Sequence, residues 1–134
     1  MHIKKVSVFA LVCFLTTSLT AQISMSSDSV NNALCRKWEF KAIIMGGQRL
    51  SNMNETVIYE FQNDGTFKRV TSNGKSEKGT WVFKPDQKIV LLKLKKTVLH
   101  IPSLTDDELI VSPGEGINGA ENGLSMGTVL KPSN

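Results

Sequence analysis

The chain has 134 residues, with 16 Lys and Arg against 12 Asp and Glu. That length holds one domain and little else. The mildly basic, mixed-sign balance argues against nucleic acid as the main partner.

Lys4 and Lys5, an apolar run from Val6 to Leu15, and small or polar residues ending at Thr20-Ala21 follow the order of a secretory signal peptide over residues 1–21. The apolar run is too short for a permanent membrane-spanning helix. Cleavage after Ala21 removes Lys4 and Lys5, leaving 14 basic against 12 acidic side chains and a net charge of +2. It also removes Cys13, so Cys35 is the single thiol of the mature chain. An exported domain with one cysteine has no internal disulfide and depends on its core. The expected compartment is the periplasm or the extracellular space.

Residues 22–33, rich in Ser and Asn with little periodicity, read as a flexible leader. From Leu34 the pattern changes to strands. Trp38, Phe40, Ala42 and Ile44 share one face of the first, opposite Lys37, Glu39 and Lys41. Gly46-Gly47 ends it, and a polar connection leads to a second strand with Val57, Tyr59 and Phe61 on one face. Asn63-Asp64-Gly65 turns the chain into a third strand, Thr66 to Ser72, of weaker alternation. Asn73-Gly74 turns it again toward Gly79 to Phe83, with Trp81 and Phe83 on one side. A fifth strand, Lys88 to Leu94, carries Val90, Leu92 and Leu94 on one face. A sixth, Thr97 to Ile101, is ended by Pro102, and a seventh runs from Glu108 to Ser112. Pro113 to Gly123 is a glycine-rich loop, and Leu124 to Leu130 is the eighth strand. Eight short strands joined by hairpin-length links, without a helical period, predict an all-β, eight-stranded antiparallel up-and-down barrel.

Leu34-x-x-x-Trp38, Phe61-x-x-Asp64-Gly65-x-Phe67, Gly79-x-Trp81 and Leu104-Thr105-x-Asp107-Glu108-Leu109, in that order, resemble the lipocalin-like domains of small exported proteins of Bacteroidetes-type bacteria. The resemblance covers residues 34–131 and implies a barrel with one open end. It further implies that Trp38 plugs the closed end, in the manner of the Gly-x-Trp motif of lipocalins, although Arg36 stands where the glycine would be.

All seven aromatic residues after position 21 fall in the first four strands. Phe40, Tyr59, Phe61, Phe67, Trp81 and Phe83, with Val90 and Leu92, are the candidate lining of an apolar ligand cavity. The bland alternative is that these side chains fill the barrel, whose interior at eight strands is only just wide enough for side chains or one small ligand.

The remaining features carry less chemistry. Gly114-x-Gly116-x-x-Gly119 matches the dinucleotide fingerprint by spacing, but no helix follows to receive a pyrophosphate. Asp106, Asp107 and Glu108 lack the spacing of a calcium loop and read as a solvated turn. Lys84, Lys88, Lys93, Lys95 and Lys96 form a basic patch, read first as edge protection against aggregation. His100 is the single histidine after position 21, with no partner set for a metal or a catalytic triad. Asn54-Glu55-Thr56 is a glycosylation sequon, of little weight in a chain of bacterial type. The expectation is a non-enzymatic exported barrel, without metal or cofactor, binding a small hydrophobic ligand. The alternative is a filled barrel that docks on an envelope protein or a glycan.

Overall fold

A computed structural model describes residues 23–51, 56–116 and 126–133. The predicted signal peptide, Asn54 and Glu55 of the sequon, and the part of the glycine-rich loop from residue 117 onward lie outside the described residues, as do residues 124 and 125 of the predicted last strand.

Helix α1 (Ser27–Leu34) precedes strands β1 (Lys37–Met45), β2 (Gln48–Leu50), β3 (Val57–Phe61), β4 (Thr66–Thr71), β5 (Ser76–Lys84), β6 (Ile89–Lys93), β7 (Val98–Leu104), β8 (Leu109–Pro113) and β9 (Met126–Pro132). Each strand from β3 to β9 pairs antiparallel with the next, β3 pairs with β1, and β9 returns to β1. The result is a closed eight-stranded up-and-down barrel, with β2 as an extra strand beside β1. Closure leaves the barrel without a free edge along β9, which otherwise invites pairing with another chain.

The hairpins form because side chains and backbone agree locally. At the β3–β4 turn Gly65 takes φ 88°, open to glycine at no steric cost, while the Asp64 carboxylate accepts from the Thr66 backbone N–H at 3.0 Å and its hydroxyl at 2.6 Å. Asn73 serves the β4–β5 turn the same way, accepting from the Lys75 N–H at 3.1 Å and the Thr71 hydroxyl at 2.6 Å.

Directly opposed residues share a face of the sheet, so the register shows which side chains enter the barrel. Trp38, Tyr59, Arg69 and Glu77 are opposed in succession across β1, β3, β4 and β5. Phe61, Phe67 and Gly79 form the next such row, and Phe83, Val90 and Ile101 another. The rings of Tyr59, Phe61 and Phe67 stack with centroids 5.4–6.1 Å apart. Gly79 is required beneath them: a Cβ there would lie 2.7 Å from the Phe67 ring and 2.4 Å from the Lys93 carbonyl oxygen.

Three local departures from the expected strand pattern are visible. In β1 the register against β9 shifts between Phe40 and Ala42. Phe40 opposes Leu130 inside the barrel, whereas Ala42 opposes Val129 and turns outward. The single face expected for Trp38, Phe40, Ala42 and Ile44 is therefore split by a bulge, because one extra residue reverses every later side chain. Ala42 and Ile44 join Ile110 and Val129 in a separate buried cluster on the outer face. In β7 the strand does not stop before Pro102 but runs to Leu104, with a register shift between His100 and Ser103. Pro102 sits in that irregular stretch, where no ladder donor is needed. Finally, β2 occupies part of the expected polar connection and fills the edge of β1 beyond its three-residue pairing with β3.

The expected leader contains α1. Ser26 caps it, its hydroxyl accepting from the Ser29 N–H at 3.2 Å, and Asp28 lies in the first turn, where a negative charge complements the helix dipole. Val30, Ala33 and Leu34 recur at helical spacing and are buried. The Ile23 N–H donates to the Lys88 carbonyl at 3.3 Å, fastening the segment to the β5–β6 turn. Thus α1 covers one end of the barrel and makes that end the closed one.

Candidate functional site

At the closed end Trp38 is fully buried, and its indole N–H donates to the Leu34 carbonyl at 3.0 Å, linking the barrel floor to the end of α1. Arg36 lies over the indole with its guanidinium carbon 5.6 Å from the ring centroid, a cation–π contact. Above this floor the aromatic rows and Val90, Leu92, Leu104, Leu109 and Leu130 fill the interior.

The filling stops short of the opposite end. There a cavity of about 340 Å³ is bounded chiefly by Ile43, Tyr59, Arg69, Leu99, Val111 and Thr128, and Met45 and Met126 also line it. These two methionines face each other across β1 and β9 and are about half exposed, at 52% and 54%. They make a flexible apolar rim, the kind of side chain that adapts to variable ligand shape. A smaller chamber of about 190 Å³ lies beside the β1–β3 seam, where Phe40, Val57 and Thr71 contribute. Ile43, Tyr59, Arg69 and Thr128 line both spaces.

The interior therefore changes character along its axis. On β4 the inward positions run Phe67, Arg69, Thr71 from the floor upward; on β5 they run Phe83, Trp81, Gly79, Glu77. Apolar side chains meet where the barrel is filled, and polar ones appear where it is hollow.

The polar group at the centre of the hollow is Arg69. Its Nη2 donates to Glu77 Oε1 at 2.6 Å. Burial works against its charge, but hydrogen bonding to Glu77 and Tyr59 outweighs this and holds it protonated. The same contact with Arg69 lowers the Glu77 carboxyl below its ordinary value. Burial raises the Tyr59 phenol, with the Arg69 contact opposing. The Arg69 Nε is buried and has no hydrogen-bond partner among the described residues.

The predicted lining residues fall into two groups. Tyr59 lines both spaces and Phe40 the smaller one. Phe61, Phe67, Val90 and Leu92 are buried in the filled part, while Trp81 and Phe83 are partly buried against it. Trp81 is further held by its indole N–H donating to the Gln62 carbonyl at 2.8 Å. Ile43, Arg69, Leu99, Val111 and Thr128 were not among the expected residues. For Ile43 the bulge hides the signal, and for Arg69 its charge does. The inward position of Arg69, two residues after Phe67, was legible in the alternation.

Other sequence features lie elsewhere. His100 is buried on the outer side of β7, its Nδ1 3.0 Å from the Gly114 carbonyl oxygen. Lys93, Lys95 and Lys96 are near the open end, Lys95 and Lys96 flanking a groove with Lys75 and Lys78. Lys84 and Lys88 belong to the opposite end, so the expected patch divides in two. Glu108 is more than a solvated turn residue. It accepts from Arg49 at 2.7 and 3.0 Å and from Lys41 at 2.9 Å, and these contacts draw its carboxyl down to about 2. Among the described residues no three His, Cys, Asp or Glu side chains gather to hold a metal ion. No described helix is long and apolar enough to cross a membrane.

No protein-family model and no curated protein matches the chain. Among solved structures it is similar to an NMR structure of a protein from Bacteroides uniformis ATCC 8492. The two share 24% sequence identity over 78% of this chain and 92% of that one, with a TM-score of 0.49.

Proposed function

We propose that this protein is an exported, lipocalin-like, non-enzymatic barrel that binds a small hydrophobic molecule at its open end. The observation that carries the reading is the cavity of about 340 Å³ walled mainly by Ile43, Leu99, Val111 and the Tyr59 ring. Such a volume lies at the small end of known ligand sites. At roughly 30 Å³ per water-sized group it holds about eleven heavy atoms. Burying a chain of about ten carbons at about 0.8 kcal/mol each gains about 8 kcal/mol, which caps the affinity near the micromolar range. The half-exposed Met45 and Met126 supply an apolar entrance.

Native mass spectrometry of the chain from residue 22 onward, followed by organic extraction, tests the proposal. A reproducible bound mass of this size supports it. A bare protein that takes up no member of a panel of apolar ligands overturns it and favours a docking role for the outer surface.

A further inference from the structure

The larger cavity is apolar except where Arg69, Tyr59, Thr128 and Ser112 reach it. Among the described residues, Arg69 is its only charged lining residue. A guanidinium offers five N–H donors and accepts nothing. Glu77 takes Nη2 at 2.6 Å, and Nε, which has no partner among the described residues, is enclosed by protein and closed to the cavity. An apolar ligand that desolvates the remaining terminal N–H donors of Arg69 without pairing them loses about 1–3 kcal/mol, so an oxygen acceptor delivered beside this guanidinium is favoured.

The charge balance narrows the choice of acceptor. Arg69 and Glu77 already neutralise each other at 2.6 Å. A carboxylate entering the cavity would be a third charge with no second cation among the described lining residues, and desolvating it is expensive. A carbonyl oxygen takes the donor without adding charge.

Resting on the ligand-binding reading above, we propose that the cavity selects a neutral, mainly apolar molecule carrying one carbonyl-type oxygen. Arg69 and Tyr59 receive that oxygen, and Glu77 sets the selection against organic anions. Tyr59 and Arg69 stand opposite each other in the β3–β4 ladder and line both chambers, so the oxygen sits at their junction and the apolar body extends toward Leu99 and Val111.

The test compares decane, methyl octyl ketone and decanoate by displacement of a fluorescent apolar probe at neutral pH. Wild type is expected to bind the ketone about tenfold more tightly than decane, the value of one buried hydrogen bond, and more tightly than decanoate. Arg69→Met is expected to abolish the ketone's advantage over decane. Glu77→Gln, which leaves the guanidinium uncompensated, is expected to move decanoate ahead of the ketone and serves as the decisive variant should Arg69→Met fold poorly. Equal binding of all three ligands, a wild-type preference for decanoate, or an unchanged ranking in Glu77→Gln overturns this inference alone. Binding of none of them overturns the ligand-binding reading as well.

Discussion

Glu108 connects distant parts of the barrel wall. It stands just before β8 and accepts from Lys41 of β1 and from both terminal nitrogens of Arg49 on β2, so its contacts reach past β9 to the β1–β2 hairpin. Its carboxyl is drawn from 4.5 to about 2, first by the Arg49 hydrogen bonds and, against the opposing effect of burial, by those from Lys41 and by both positive charges. At 1.36 kcal/mol for each pH unit the full displacement corresponds to about 3 kcal/mol. Arg49 and Lys41 stand about half in water, at 50% and 46%, so screening reduces this to about 1–2 kcal/mol. Because the folded pKa lies below the unfolded one, the contribution is complete above pH 4.5 and is lost as the pH falls through about 2. Urea denaturation of wild type and Glu108→Gln checks this. Near neutral pH the variant should be less stable by about 1–2 kcal/mol, with a melting temperature lower by about 4–8 °C. The difference should shrink in about 1 M salt and nearly vanish near pH 2. Equal stability at neutral pH, or a gap that persists in acid, would refute the ion-pair argument.

Gly79→Ala should cost about 3 kcal/mol in the urea midpoint, at the upper end of overpacking penalties, because one obstacle to the new Cβ is the Lys93 backbone carbonyl at 2.4 Å. Trp38→Phe removes the hydrogen bond to the Leu34 carbonyl and should cost about 1 kcal/mol or more. Faster amide exchange in α1, with the upper barrel unchanged, is the specific sign. The Cys35 thiol is pushed above its ordinary value by burial and then by the Asp64 charge, so near neutral pH it should react with iodoacetamide more slowly than free cysteine. Asp64→Asn should speed that reaction, and a rate insensitive to the substitution would exclude the charge effect.

Much of the architecture was legible because strand alternation and turn chemistry are local properties. Asp64-Gly65 and Asn73-Gly74 each carry the side-chain acceptor that closes their turn, and the structure uses both. Helix α1 was not legible as a helix: Ser27-Asp28-Ser29 and Asn31-Asn32 are poor interior helix formers, and only eight residues span it. Its stability comes from burying Val30, Ala33 and Leu34 against a barrel floor that the sequence does not display. The bulge after Phe40 was hidden for a related reason. Lys41 reads as an ordinary outward residue until its pairing with β9 shows that it has no opposite number.

The weak alternation of β4 is the most informative feature of the sequence. A strand facing a packed interior needs apolar residues at every second position, and Phe67 meets that requirement where the aromatic stack fills the barrel. The same face then continues with Arg69 and Thr71, which no packed core of this size would accept without partners. Their presence is the sequence trace of the hollow: the pattern fails where side chains stop meeting across the axis. Glu77 on β5 and Thr128 on β9 repeat the failure at the same end, while Trp81 and Leu130, nearer the floor on those strands, do not. A residue list ranked by hydrophobicity therefore selects the filled half of the barrel and overlooks the half with room for a ligand. Locating where alternation breaks on neighbouring strands gives the position of the cavity, and the charge that breaks it, Arg69, is the side chain on which the proposed ligand chemistry rests.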